Sequence, residues 1–261
     1  QNPDGNNLTP MPKDLFEQFS ERFGYSLKDN LPELFLKPDG CDVSRVKWHY
    51  CELLCSLFVK NYLTPIQSWC HEHGLIFTGH LLHEDNLAAQ TAVNGSMQRG
   101  YEHMDAPGVD VLWENNFNRN IVKQLQSAGR QFGKKTLLSE LYGCTGWQMT
   151  FQNHKAVGDW QSLYGINLRC QHLSWYTMKG EAKRDYPASI FYQSQWYPQY
   201  KYVEDYYARL NVIKQDGTPV CDTLIMSPVE SLWATVHPGW CGFFSAQDAA
   251  AQAVEQSYTE L

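Results

Sequence analysis

Four short apolar runs, the last three separated by helical stretches that end in glycine, constrain this chain more than any other feature. The runs are Leu75-Ile76-Phe77, Val109-Asp110-Val111-Leu112-Trp113, Thr136-Leu137-Leu138 and Ile166-Asn167-Leu168-Arg169-Cys170. Continuous apolar runs of this length read as strands buried on both faces; the fourth alternates instead. A helix is expected from about Asn118 to Phe132, closed by Gly133, and another from about Gln152 to Tyr164, closed by Gly165. Strands alternating with helices that end in glycine argue for parallel βα units.

The flanks read as helical. Residues 12–36 suggest two short helices, the second starting near Asp29 and Asn30 with Pro32 in its first turn. From Ser44, an expected N-cap, apolar residues recur at Val46, Tyr50, Leu53, Leu54, Leu57, Phe58 and Tyr62, and the spacing continues to Trp69 past a kink or restart at Thr64-Pro65. A further helix is expected from about Tyr202 to Lys214. Asp216-Gly217 then turns into the apolar segment Val220–Met226, and an Ala-rich stretch at 246–254 reads as a last helix.

Composition limits the partners. Lys plus Arg (21) against Asp plus Glu (28) gives a net charge of −7, and no basic cluster is present, so nucleic-acid binding is not expected. No apolar run reaches the length of a membrane span. The eight cysteines include no CxxC pair, which disfavours a zinc ribbon, and buried free thiols are the simplest reading. Aromatic residues make up 14% of the chain, with 9 Trp and 15 Tyr, enough to supply flat faces for sugar rings as well as core packing. Neither the compartment nor the oligomeric state can be read from the sequence.

The chemistry follows the strands. The first run leads into Thr78, Gly79, His80 and then His83, Glu84 and Asp85; the second into Glu114; the third into Ser139, Glu140 and Tyr142; the fourth into His172, Trp175 and Tyr176. In an α/β barrel all C-terminal strand ends open on the face that carries the active site, so these residues converge there. Glu140 is the lead catalytic candidate, because a carboxylate at the end of a buried strand must be solvated in a cleft or paired. Glycoside cleavage uses two such carboxyl groups. His80, Glu114, Tyr142, Trp147, His172, Trp175 and Tyr176 are the expected substrate-binding residues. No cofactor is expected. The spacing of His80, His83 and Glu84 does not match HExxH, so no metal is assigned.

Several stretches resemble family 106-type glycoside hydrolases, the α-L-rhamnosidases and their uncharacterised relatives. They are Leu15-Phe16 with Phe19 and Phe23-Gly24-Tyr25, Trp69-Cys70 with Gly74-Leu75 and Gly79-His80, Ser139-Glu140 with Gly143 and Gly146-Trp147, and Asp159-Trp160 with Gly165-Ile166-Asn167, His172 and Tyr176. Tyr206-Tyr207-Ala208-Arg209-Leu210 with Gly217, Pro219-Val220, Asp222 and Pro228 looks like the exit from the barrel. The order of elements is also similar to family 42 β-galactosidases, in which a seventh-strand glutamate is the nucleophile. The resemblance implies an α/β fold: the C-terminal half of a (β/α)8 TIM barrel over residues 1–217, then the start of a second, flavodoxin-like α/β domain over 218–261. It implies a carbohydrate substrate, Glu140 at the seventh-strand position, a partner acid upstream of Gln1, and no activity for this segment alone. Two alternatives stay open: a carbohydrate-binding barrel without catalysis, and a metal-dependent barrel hydrolase using His80, His83 and His172.

Overall fold

The computed structural model describes residues 9–37, 43–180, 186, 188–241 and 245–260. The chain forms two compact units. One comprises the described residues of Gln1–Leu75, Leu81–His103 and Ile225–Leu261; the other those of Ile76–His80 and Met104–Leu224. Among the described residues no helix is long and apolar enough to cross a membrane.

The first unit is helical: α1 (Leu15–Phe23), α2 (Pro32–Phe35), α3 (Arg45–Phe58) and α4 (Thr64–Glu72), followed by α5 (Leu87–Val93) and α6 (Met97–Tyr101). Ser44 caps α3 as its position suggests, its hydroxyl accepting from the Val46 and Lys47 amides. The restart at Thr64-Pro65 has a covalent cause. Pro65 has no N–H for the preceding turn, and the helix widens into a π turn at Val59–Leu63 before α4 begins. Leu15, Phe19, Leu53, Cys55 and Trp233 form a common buried core in this unit. Beside it Glu52 is buried between Arg22 at 2.5 Å and Arg99 at 2.6 Å, and Arg99 reaches on to Glu230.

The second unit is α/β, built on a curled, all-parallel four-stranded sheet in sequence order. Its strands are β1 (Thr78–Gly79), β2 (Ala106–Val111), β3 (Leu138–Leu141) and β4 (Leu168–Gln171), with α7 (Arg119–Gln131) after β2, α8 (Phe151–Leu163) after β3 and α9 (Lys201–Gln215) after β4. Side chains lock the strand starts together. The Phe77 amide donates to Asp105 Oδ2 at 2.7 Å, and the Leu137 amide to Asn167 Oδ1 at 2.9 Å. Gly108 lets β1 and β3 close on β2, since a Cβ there would meet Gly79 O at 2.9 Å and Leu138 Cδ2 at 2.7 Å.

All four expected strands change their limits, the fourth to Leu168–Gln171. Leu75 and Ile76 are 52% and 68% exposed, and the Leu75 amide still bonds Cys70 O at the end of α4, so β1 starts only at Thr78. Apolar composition does not make a strand until a neighbour offers its backbone. β2 starts at Ala106, ahead of the apolar run, and β3 starts at Leu138, which puts Ser139 and Glu140 inside the strand instead of after it. The apolar segment Val220–Met226 is irregular, with Val220 96% exposed. Beyond it lie α10 (Val229–Trp233) and α11 (Ala249–Thr259), the latter from the Ala-rich stretch.

Candidate active site

Parallel register builds the site. Asp110, Glu140 and Cys170 occupy matched positions on β2, β3 and β4. Side chains alternate across a sheet, so these three share one face with Gly108, Leu138 and Leu168. The opposite face carries Val109, Val111, Ser139 and Leu141, all with no exposed area, under the helices. Arg169 also lies on the helix side, paired to Glu204 of α9 at 2.6 Å and stacked over Tyr207. Ser139 therefore faces the helices and Glu140 the open, concave face.

Two imidazoles hold Glu140. His80 Nε2 lies 2.9 Å from Glu140 Oε2, and His172 Nε2 lies 3.4 Å from Oε1. All three side chains are between 20% and 27% exposed. Gly143 lies behind His172, where a Cβ would crowd Leu112 Cδ2 at 2.6 Å. The hydrogen bond from His80 holds the Glu140 carboxyl below its ordinary range; burial opposes the shift, and the charges of His80 and His172 add to it. The sign follows. A depressed pKa contributes stability that is present above the carboxyl's unfolded value and is lost as pH falls through the lower folded value. His80→Ala is expected to raise the Glu140 pKa toward its unfolded value in a carbon-13 carboxyl titration. An unchanged midpoint would show that His80 does not hold the charge.

The chain leaves β2 and β3 under strain. Trp113, Tyr142 and Cys144 have φ of 79°, 68° and 64°, a region that side chains other than glycine adopt rarely. Such strain at the strand ends around Glu140 marks this rim as a functional candidate.

The expected substrate-binding residues separate into groups. His80 and His172 flank Glu140. Glu114 is half-buried in the turn after β2, next to Trp113, which is 58% exposed. Tyr142 turns into the helix-side core, its hydroxyl donating to His154 O at 3.0 Å. Trp175 is buried against Phe191 and supports Trp147, whose ring lies 5.5 Å away and is 41% exposed. Tyr176 is fully solvated at 99% exposure. His83 belongs to the other unit. Asp110 is the residue that sequence reasoning missed. Its signal was a carboxylate inside the run Val109-Asp110-Val111, on the face opposite to the two valines.

No family model matches the chain. Over 223 residues it is 24% identical to a protein of Formosa agariphila described as "Putative beta-glucuronidase". That match covers 80% of this chain and 18% of the relative, so the chain spans about a fifth of the length of the protein it resembles.

His80, Asp110 and Glu140 each present a donor atom, all within 4.8 Å of one another. The group combines one imidazole with two carboxylates, the donor types that serve proton transfer, nucleophilic attack and metal binding.

Proposed function

We propose that this chain supplies the later strands of a (β/α)8 barrel in a glycoside hydrolase, with Glu140 as the nucleophile or general base. The observation that carries this reading is the Glu140 carboxylate set between His80 and His172 near the C-terminal end of a parallel strand. A general acid needs its pKa raised by its surroundings; a nucleophile or base has only to be ionised at the working pH, which the environment of Glu140 permits. The name of the Formosa agariphila relative supports the same reaction class.

Asp110 stands on the adjacent strand and the same face, its donor oxygen within 4.8 Å of the Glu140 donor. The resemblance takes the partner acid from a strand earlier in the barrel than β1. The resemblance of the exit segment also implies a flavodoxin-like domain after residue 217, whereas Val229–Trp233 and Ala249–Thr259 are helices of the unit that holds α1 and α3.

The sugar is open to direct assay. The resemblance in sequence points to an α-L-rhamnoside, and the relative's name to a β-glucuronide, so the full-length protein is to be tested on chromogenic glycosides of both. Turnover of either supports the reaction class. Binding of glycans without turnover, unchanged in Glu140→Gln, would favour the carbohydrate-binding alternative.

Trp147 is the expected sugar platform, with Trp175 as its support. Stacking on an aromatic face contributes about 0.5–1.5 kcal/mol, so Trp147→Ala is expected to raise KM by roughly two- to tenfold. Unchanged KM in Trp147→Ala would remove this face from the binding site.

A further inference from the structure

We propose that His80, Asp110 and Glu140 form a binding site for a divalent first-row transition metal ion of the zinc class. Three consecutive strands each contribute one ligand. His80 follows Gly79 at the end of β1, and the register sets Asp110 of β2 beside Glu140 of β3. One donor atom from each residue falls in a cluster no wider than 4.8 Å.

Ligands bound at about 2.0–2.2 Å in tetrahedral geometry stand roughly 3.4 Å from one another. Small side-chain rotations close the difference, and all three residues are only partly buried. A dication between two carboxyl groups on one face is attracted to both. His172 adds an outer contact. Its Nε2 sits 3.4 Å from Glu140 Oε1 and orients the carboxylate from the side away from His80.

The donor set selects the ion. One imidazole and two carboxylates with an open fourth position suit zinc. Calcium requires six to eight oxygen ligands, and magnesium keeps most of its waters instead of taking an imidazole. The site stands on these three side chains whatever reaction the barrel performs. A metal bound there engages the Glu140 carboxylate, so zinc is expected to inhibit the glycoside turnover that depends on it.

The test is a calorimetric titration of the metal-stripped full-length protein with zinc alone. We expect one binding event that Asp110→Asn and His80→Gln each weaken by more than about tenfold, with no matching event for calcium or magnesium. The free cysteines, among them exposed Cys170 and Cys221, are the competing zinc ligands. Zinc binding of parental strength in both variants would assign the ion to those thiols and overturn the proposal, as would absence of zinc binding in the parent. Should Asp110→Asn misfold, His80→Gln decides alone, because His80 lies at the strand end and is 27% exposed. The zinc titration and glycoside turnover are separate readouts, so failure of the metal site and failure of the hydrolase assignment are distinguishable.

Discussion

Glu140→Gln in the full-length protein is expected to lower turnover by about 10²–10⁴-fold, the range associated with removing a group that works on the reacting bond. Glutamine keeps the shape of the side chain and can still bond His80 and His172, but it carries no charge and is a poor nucleophile. The loss should fall mainly on kcat, because the ionised carboxylate is needed for the chemical step more than for holding the sugar. Steady-state kinetics on the glycoside that the parent cleaves, with circular dichroism to confirm folding, make the comparison. Near-parental kcat in a folded variant would remove Glu140 from the mechanism.

Trp233→Ala is expected to destabilise the helical unit by about 3–5 kcal/mol, the usual cost of deleting a large buried aromatic side chain. Trp233 has no exposed area, packs with Leu53 and Cys55, donates its indole N–H to Gly95 O at 3.1 Å, and lies under the Arg99 guanidinium at 4.9 Å. Its removal opens a cavity, orphans a buried carbonyl and frees the arginine that pairs with Glu52 and Glu230. Chemical denaturation followed by circular dichroism reads the loss as a lower midpoint or an early separate transition. A midpoint within error of the parent would mean that this core does not carry the unit's stability.

The longer helices were legible in the sequence because their signals are local, whereas the short α5, α6 and α10 were not anticipated. Ser44, Asn118 and Thr150 accept from amides in the first turns that follow them, and Gly133 and Gly165 take the positive φ that ends α7 and α8. Helix hydrogen bonds stay within the segment, so spacing and caps are enough to place them. Strand limits were less legible, because their hydrogen bonds depend on distant segments. Nothing in Leu75-Ile76-Phe77 reveals that pairing with β2 begins only at Thr78.

The candidate site divides the same way. The sequence by itself determined that α/β units alternate and that Glu140, His80 and His172 stand near strand ends. It also placed an aromatic-rich rim beyond them. Tertiary structure alone decided which of these side chains meet. It brought His80 and His172 onto Glu140, turned Tyr142 and Trp175 into packing, and set Asp110 beside Glu140 through a register that no local pattern encodes. The physical reason is the two-residue period of a strand. Sequence alternation separates the two faces, whereas the pairing of one strand with the next fixes which residues on a face stand side by side.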